Sequence, residues 1–324
     1  MPNSNRSFQR QFDAFFMPYV NKYKDRMKLE NGRFVHYTSA ENALNIFRSR
    51  RVWMRNARCM NDYMEVTHGH NLLLKFFHDH SHKQRFIEAF KPCENEAVQK
   101  ALERFDKWWS NIEFNTFITS ISEHETSEDS YGRLSMWRAY SHLSARAAIV
   151  LNIPLDPNPA RNDLNIILSP VAYFDYQELV NEMNAYLDEV KANTSFLCSL
   201  EEPAITNLIF TMLVVATVTL KHKGFKEEKE WRVIYLPHLA PSELISNTIE
   251  TINGVPQTVY HIPLEDKPTG DVTGLSIPKI FDRIIIGPSE YPHPMYQAFY
   301  ISLKEAGVED PHERIIFSGI PLRT

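Results

Sequence analysis

Apolar residues recur at three-to-four spacing near the start of the chain. Phe8, Phe12, Phe15, Phe16, Tyr19 and Tyr23 fall on one helical face, which predicts an amphipathic helix over 8–29, ended by the turn pair Asn31-Gly32. The period then shortens. A strand is predicted over 33–37, a helix over 40–49 with Ser39 as its N-cap, and a second strand over 52–54. Helical spacing returns over 63–77 and 83–112, the latter divided at Pro92. Over 114–121 β-branched and aromatic residues alternate as in a strand.

Beyond the acidic loop 123–129 the pattern predicts a helix at 134–141 and strands at 147–151 and 166–173. Helices follow at 176–192 and 203–221, then strands at 231–236, 259–263 and 283–287. A helix at 295–306 and a strand at 314–317 close the chain. Strands outnumber regular βα alternations. The expected class is therefore α+β: a mixed, split sheet with helices packed on it. The expected organisation is an N-terminal helix within 1–32 and one domain over 33–324, with helical insertions near 65–112 and 175–221.

Composition narrows this picture. At 324 residues and 43% hydrophobic, the chain can bury a core, so disorder of the whole is excluded. Forty acidic against 35 basic residues, a net charge of -5, excludes a generally basic nucleic-acid coat but leaves room for a local patch. The three cysteines, Cys59, Cys93 and Cys198, are odd in number and form no C-x-x-C pair. This argues against a disulfide framework and a thiolate zinc site. The N-terminus lacks an apolar signal core. The longest apolar run, near 208–220, is short and interrupted by Thr211, Thr217 and Thr219. A soluble cytoplasmic protein with no membrane partner is expected.

Five segments carry candidate chemistry. His68, His70, His78, His80 and His82 crowd one stretch, and His78 and His82 are four apart, as zinc ligands on a helix are. Apolar Leu72, Leu73, Phe76 and Phe77 occupy the opposite side, so His78, His80 and His82 are expected to be mostly exposed and to hold no metal. Arg48, Arg50, Arg51, Arg55 and Arg58 offer guanidinium forks that match phosphate oxygens, or a solvated helix end with ion pairs. His36-Tyr37-Thr38 ends a strand, where an imidazole and a hydroxyl can meet a ribose or serve the core. Ser135, Trp137 and Tyr140 put two aromatics on one helix face, as a floor for a planar ring or as packing. Glu228 and Glu230, entering a strand beside Arg232, read as carboxylates on one face, fit to stabilise a developing cation or to form a solvated edge.

Together and in this order, the segments resemble a bacterial family known as domain of unknown function 2971. The likeness rests on His36-Tyr37-Thr38; on Asn61, Asp62 and Glu65; on Met136-Trp137-Arg138-Ala139-Tyr140; and on Glu228, Glu230, Trp231 and Arg232. It continues through Ile284-Ile285-Ile286-Gly287 and Ser318, Pro321 and Arg323, covering roughly 33–324. A further resemblance is to the ADP-ribosyltransferase group, through a His-x-Thr on the first strand, an aromatic and a late Glu.

That resemblance implies NAD as substrate. His36 and Thr38, with Tyr37 between them, would hold the nicotinamide-side ribose, and Tyr140 or Trp137 beside Ser135 would stack on the nicotinamide. Arg55 and Arg58 would hold the diphosphate, with Asn61, Asp62 and Arg232 bordering the site. Glu230, assisted by Glu228, would stabilise an oxocarbenium-like transition state. Met136 interrupts the expected aromatic clamp, and Arg232 beside Glu230 also fits a structural ion pair.

Three functions follow as expectations. The first is a NAD-consuming ADP-ribosyltransferase or NAD glycohydrolase, of the kind used in antiphage defence or as a toxin, with a protein or nucleic-acid acceptor. The second is a metal-dependent nucleic-acid-processing protein using Asp62, Glu228 and Glu230. The third is a non-catalytic nucleotide sensor with the same pocket.

Overall fold

In a computed structural model, residue 15 and residues 17–60, 65–139, 145–155, 163–266 and 273–321 are described. In chain order the elements begin α1 (Pro18–Leu29), β1 (Arg33–Ser39), α2 (Ala40–Ser49) and β2 (Arg51–Asn56). Then come α3 (Glu65–His78), α4 (His80–Phe90), α5 (Ala97–Phe114), β3 (Phe117–His124), α6 (Leu134–Ala139), β4 (Arg146–Leu151) and β5 (Ile166–Pro170). The chain continues through α7 (Tyr176–Ala192), α8 (Thr194–Leu197), α9 (Glu202–Thr219), β6 (Glu230–Tyr235), β7 (Ser246–Ile252) and β8 (Val255–Pro263). It closes with α10 (Ile277–Ile280), β9 (Phe281–Ile286), α11 (Pro292–Glu305) and β10 (Ile315–Phe317).

The class is α+β, with a ten-stranded, mixed and mostly antiparallel open sheet. The chain divides into two compact units. One comprises 1–25, 57–116 and 169–226; the other comprises 26–56, 117–168 and 227–324.

The first unit is helical. The two stretches expected as separate insertions pack on one another, α9 against α3 and α5, and α4 against α7. Where α3 meets α9, Gly69 lies so close that an added Cβ would sit 2.1 Å from the Thr217 carbonyl oxygen. The absence of a side chain sets that approach. Cys93 and Cys198, 105 residues apart in sequence, form a disulfide with Cα atoms 4.5 Å apart. This corrects the expectation of unpaired cysteines: spacing along the chain says nothing of pairs that helix packing brings together. Cys59 is free.

The second unit carries the sheet, in the order β10-β9-β4-β1-β3-β2-β8-β7, with β6 on the other edge of β3 and β5 beyond it. The sheet forks at β3. One edge of β3 pairs with β6. On the other edge β1 takes Ser122–His124, while β2 takes Phe117 and Ile118. These two registers leave 119–121 between them.

The faces of this sheet are buried by different partners. Ala147, Ile149, Ile284 and Ile286 pack with Ala43 and Phe47 of α2 and Phe299 and Leu303 of α11. Val35, Tyr37, Ala148, Val150 and Ile285 pack with Trp137. Ser39 caps α2 by accepting from the Asn42 N–H at 3.1 Å, and Arg50 ends the helix in the left-handed region at φ 51°. No helix among the described residues is long and apolar enough to cross a membrane.

Candidate functional site

Strand register decides which candidate residues meet. Val35 lies opposite Ser122, and Ser122 opposite Glu230, so these three share a face of the sheet. Ser120 and its partner Arg232 lie on that face too. On it, Glu230 Oε1 accepts from the Ser120 hydroxyl at 2.5 Å and from Arg232 Nε at 2.9 Å. Arg232 Nη2 donates to Oε2 at 3.4 Å. Both members of the pair are buried, Glu230 at 4% and Arg232 at 0% exposure. Such a pair adds little net stability, but breaking it strands a charge at a cost of about 3–5 kcal/mol.

His36 follows Val35 and therefore points to the other face, opposite Ile149. Its Nδ1 lies 2.9 Å from the Ser120 carbonyl oxygen. A carbonyl only accepts, so Nδ1 carries the proton. Burial holds the ring below the usual imidazole range, which keeps it neutral, while the bond to Ser120 pulls the other way. His36 thus occupies the fork, bonding a carbonyl in the stretch between the β1 and β2 pairings. It also lines a cavity of about 40 Å³ with Phe47, Val52, Ile121, Leu264 and Phe281. That space admits a few water molecules at most, far short of a nucleotide.

His36 and Glu230 therefore do not converge on one cleft, contrary to expectation. The reason is the two-residue period of a strand: adjacent positions on β1 face opposite ways. This removes the His-x-Thr half of the likeness to the ADP-ribosyltransferase group, leaving Glu230 as the part that remains. Thr38 shares the parity of His36. Tyr37 shares the face of Glu230, but its hydroxyl accepts from the Arg133 N–H at 2.7 Å and burial pushes its ionisation upward. Trp137 is wholly buried, edge-on to Tyr37 at 4.9 Å, with Nε1 donating to the Tyr131 carbonyl at 2.6 Å. It is core packing, not an open ring floor. Ser135 is half-buried on α6.

The expected pairing of Glu228 with Glu230 on one strand face is also corrected. Glu228 ends a 3-10 turn, Lys223–Glu228, and Lys229 stands in the left-handed region at φ 45° before β6 begins. Strand alternation does not reach back to Glu228. Arg133 fixes this entry, donating to the Glu228 carbonyl at 3.0 Å, the Glu123 carbonyl at 2.8 Å and Glu128 Oε1 at 2.7 Å.

The arginines disperse. Arg55, opposite Ile118 and so on the Glu230 face, donates to Gln257 at 3.3 Å. Arg58 belongs to the helical unit, pairs with Glu113 and lies over the Phe114 ring. Asn61, Asp62 and Tyr140 lie outside the described residues, as does the side chain of Glu65. His78 and His82 fall on different helices, because Asp79 caps α4 between them. His78 and His80 are exposed, while His82 stacks on Phe76 at 4.9 Å. Among the described residues no cluster of three or more His, Cys, Asp or Glu could hold a metal ion.

Sequence reasoning missed Ser120, which bonds both His36 and Glu230. The signal was present: polar serines at 120 and 122 flank Ile121 within a strand predicted as core. No family model, curated protein or solved structure matches the chain.

Proposed function

We propose that the chain is a NAD-consuming transferase of the ADP-ribosyl type with Glu230 as its working carboxylate. The forked sheet supports the finer fold reading, a split sheet like that of the ADP-ribosyltransferase group. The observation that carries the functional reading is the junction at Ser120. On one face of the sheet its hydroxyl fixes the Glu230 carboxylate, and on the other its backbone carbonyl takes the His36 Nδ1–H; the two bonds are separate, and only the first touches the carboxylate.

On this reading the N-glycosidic bond of NAD breaks, its electron pair neutralises the nicotinamide ring, and an acceptor oxygen bonds to the ribose carbon as it loses its proton. The Glu230 charge faces the cationic centre, and Ser120 and Arg232 fix its oxygens. Arg55, on the same face, would meet the diphosphate. His36 and Thr38 are left out of ligand contact, with His36 acting as a strut at the fork.

One observation favours a second reading. The Glu230 oxygens are already engaged by Ser120 and Arg232, as in a protein that binds nucleotide without turning it over. Nicotinamide release and NAD-dependent melting, measured on one preparation, separate the two. Release with a raised melting temperature supports the transferase, a raised melting temperature alone supports the sensor, and neither effect rejects both. Stabilisation by magnesium with an oligonucleotide, but not by NAD, would favour nucleic-acid processing instead.

A further inference from the structure

The β7–β8 hairpin carries a polar chain that the Glu230 site does not use. Ser246 stands opposite His261, Thr248 opposite Val259 and Glu250 opposite Gln257, so Ser246, His261, Thr248 and Glu250 share one face. Ser246 Oγ lies 3.2 Å from His261 Nδ1, and Thr248 Oγ1 lies 3.2 Å from His261 Nε2. Thr248 Oγ1 donates to Glu250 Oε1 at 2.9 Å.

The directions are fixed by what each atom can do. The carboxylate accepts, so the Thr248 hydroxyl spends its proton there and accepts from His261 Nε2–H. Burial, aided by the charge of Arg51, holds His261 below the ordinary imidazole range, while Glu250 acts the other way. In the neutral ring Nδ1 is then bare and takes its bond from the Ser246 hydroxyl.

We propose that Ser246 is a nucleophilic serine, with His261 as its base and Thr248 and Glu250 as positioning residues, that accepts acyl groups from activated esters. A nucleophile hydrogen-bonded to a base that is itself oriented by a further group is the arrangement such chemistry needs. The base is buried at 4% exposure, while Ser246 is exposed and open to an ester. Trp53, opposite His261 on β2, lies beside the imidazole with ring centroids 6.4 Å apart. β7 is a sheet edge, which leaves the space beside Ser246 open to an incoming ester. Arg51, exposed and two residues from Trp53 on the same strand face, favours acyl donors bearing a negative charge.

In the step itself, Ser246 Oγ bonds to the ester carbonyl carbon and its proton passes to His261 Nδ1. The bond to the leaving oxygen breaks, and that oxygen departs with the electron pair. The acyl group stays on Ser246 until water removes it as a carboxylic acid.

The test is acetylation by p-nitrophenyl acetate, mapped by peptide mass spectrometry on the full chain. Ser246 is expected to label faster than any other serine, with a rate that falls in acid as His261 takes a proton; Arg51 and Glu250 are the charged groups facing that ring. His261→Gln should slow Ser246 labelling by about a hundredfold. Should that variant fail to fold, Thr248→Val, on the exposed strand, decides the matter: slower labelling and a shifted pH profile support the relay. Labelling spread evenly over serines and lysines, or a Ser246 rate indifferent to Thr248→Val, overturns it.

Discussion

His36 and Glu230 hold the same residue from opposite faces of the sheet. The imidazole meets the Ser120 carbonyl at 2.9 Å and the carboxylate meets the Ser120 hydroxyl at 2.5 Å. Removing that hydroxyl should loosen Glu230 without unpairing Arg232. Ser120→Ala is therefore expected to cost about 1 kcal/mol of stability, read as a shift in the urea midpoint. Glu230→Gln should cost more, about 3 kcal/mol, because it removes the charged half of a buried ion pair. Equal costs for the two would mean that Arg232 draws its compensation elsewhere.

Acid should weaken the fold through buried histidines. Burial holds His36 and His124 below the unfolded imidazole value of about 6.5. The unfolded chain then binds more protons just below that value, so this contribution is complete above pH 6.5 and lost as pH falls toward the folded values. The slope is up to about 1.4 kcal/mol per pH unit for each group. His36→Gln, which keeps a donor for the Ser120 carbonyl, should flatten the dependence of unfolding free energy on pH between about 6.5 and 5. An unaltered slope would mean that His36 does not titrate in this range.

The helical unit should depend on its disulfide. Bridging residues 105 apart restricts the unfolded chain, a contribution on the order of 4 kcal/mol. Thiol titration of the denatured, unreduced protein should find one free thiol, that of Cys59, and three after reduction. Reduction should lower the melting temperature, and a protein equally stable with and without reductant would contradict this.

Gly69→Ala should be among the most damaging single-methyl changes. The new Cβ would meet the Thr217 backbone, and a helix cannot give way as a flexible side chain can. A loss of about 2–3 kcal/mol is expected from overpacking, measurable by chemical denaturation. A loss below about 0.5 kcal/mol would mean that α3 and α9 separate freely.

Much of the fold was legible where periodicity was strong. Helix 40–49 and helix 176–192 are observed at the predicted bounds, because Ser39 and Asp175 cap them and apolar stripes run their length. β7 was not foreseen: its sequence, Ser-Asn-Thr-Ile-Glu-Thr-Ile, is mostly exposed and polar. Yet Asn253-Gly254 at φ 52° and 80° is a hairpin turn that the sequence announces. The site was less legible. Residue types could nominate His36 and Glu230, but only strand register shows that they face apart, and register depends on pairings between distant segments. The Cys93–Cys198 bond was hidden for the same reason.

The most direct test of the account is nicotinamide release from NAD by the wild-type chain, Ser120→Ala and Glu230→Gln, each checked for folding by its melting curve. The account predicts release by wild type, a fall of about a hundredfold or more in Glu230→Gln, and an intermediate rate in folded Ser120→Ala. Turnover in Glu230→Gln equal to wild type would remove the carboxylate from the chemistry and contradict the proposed function.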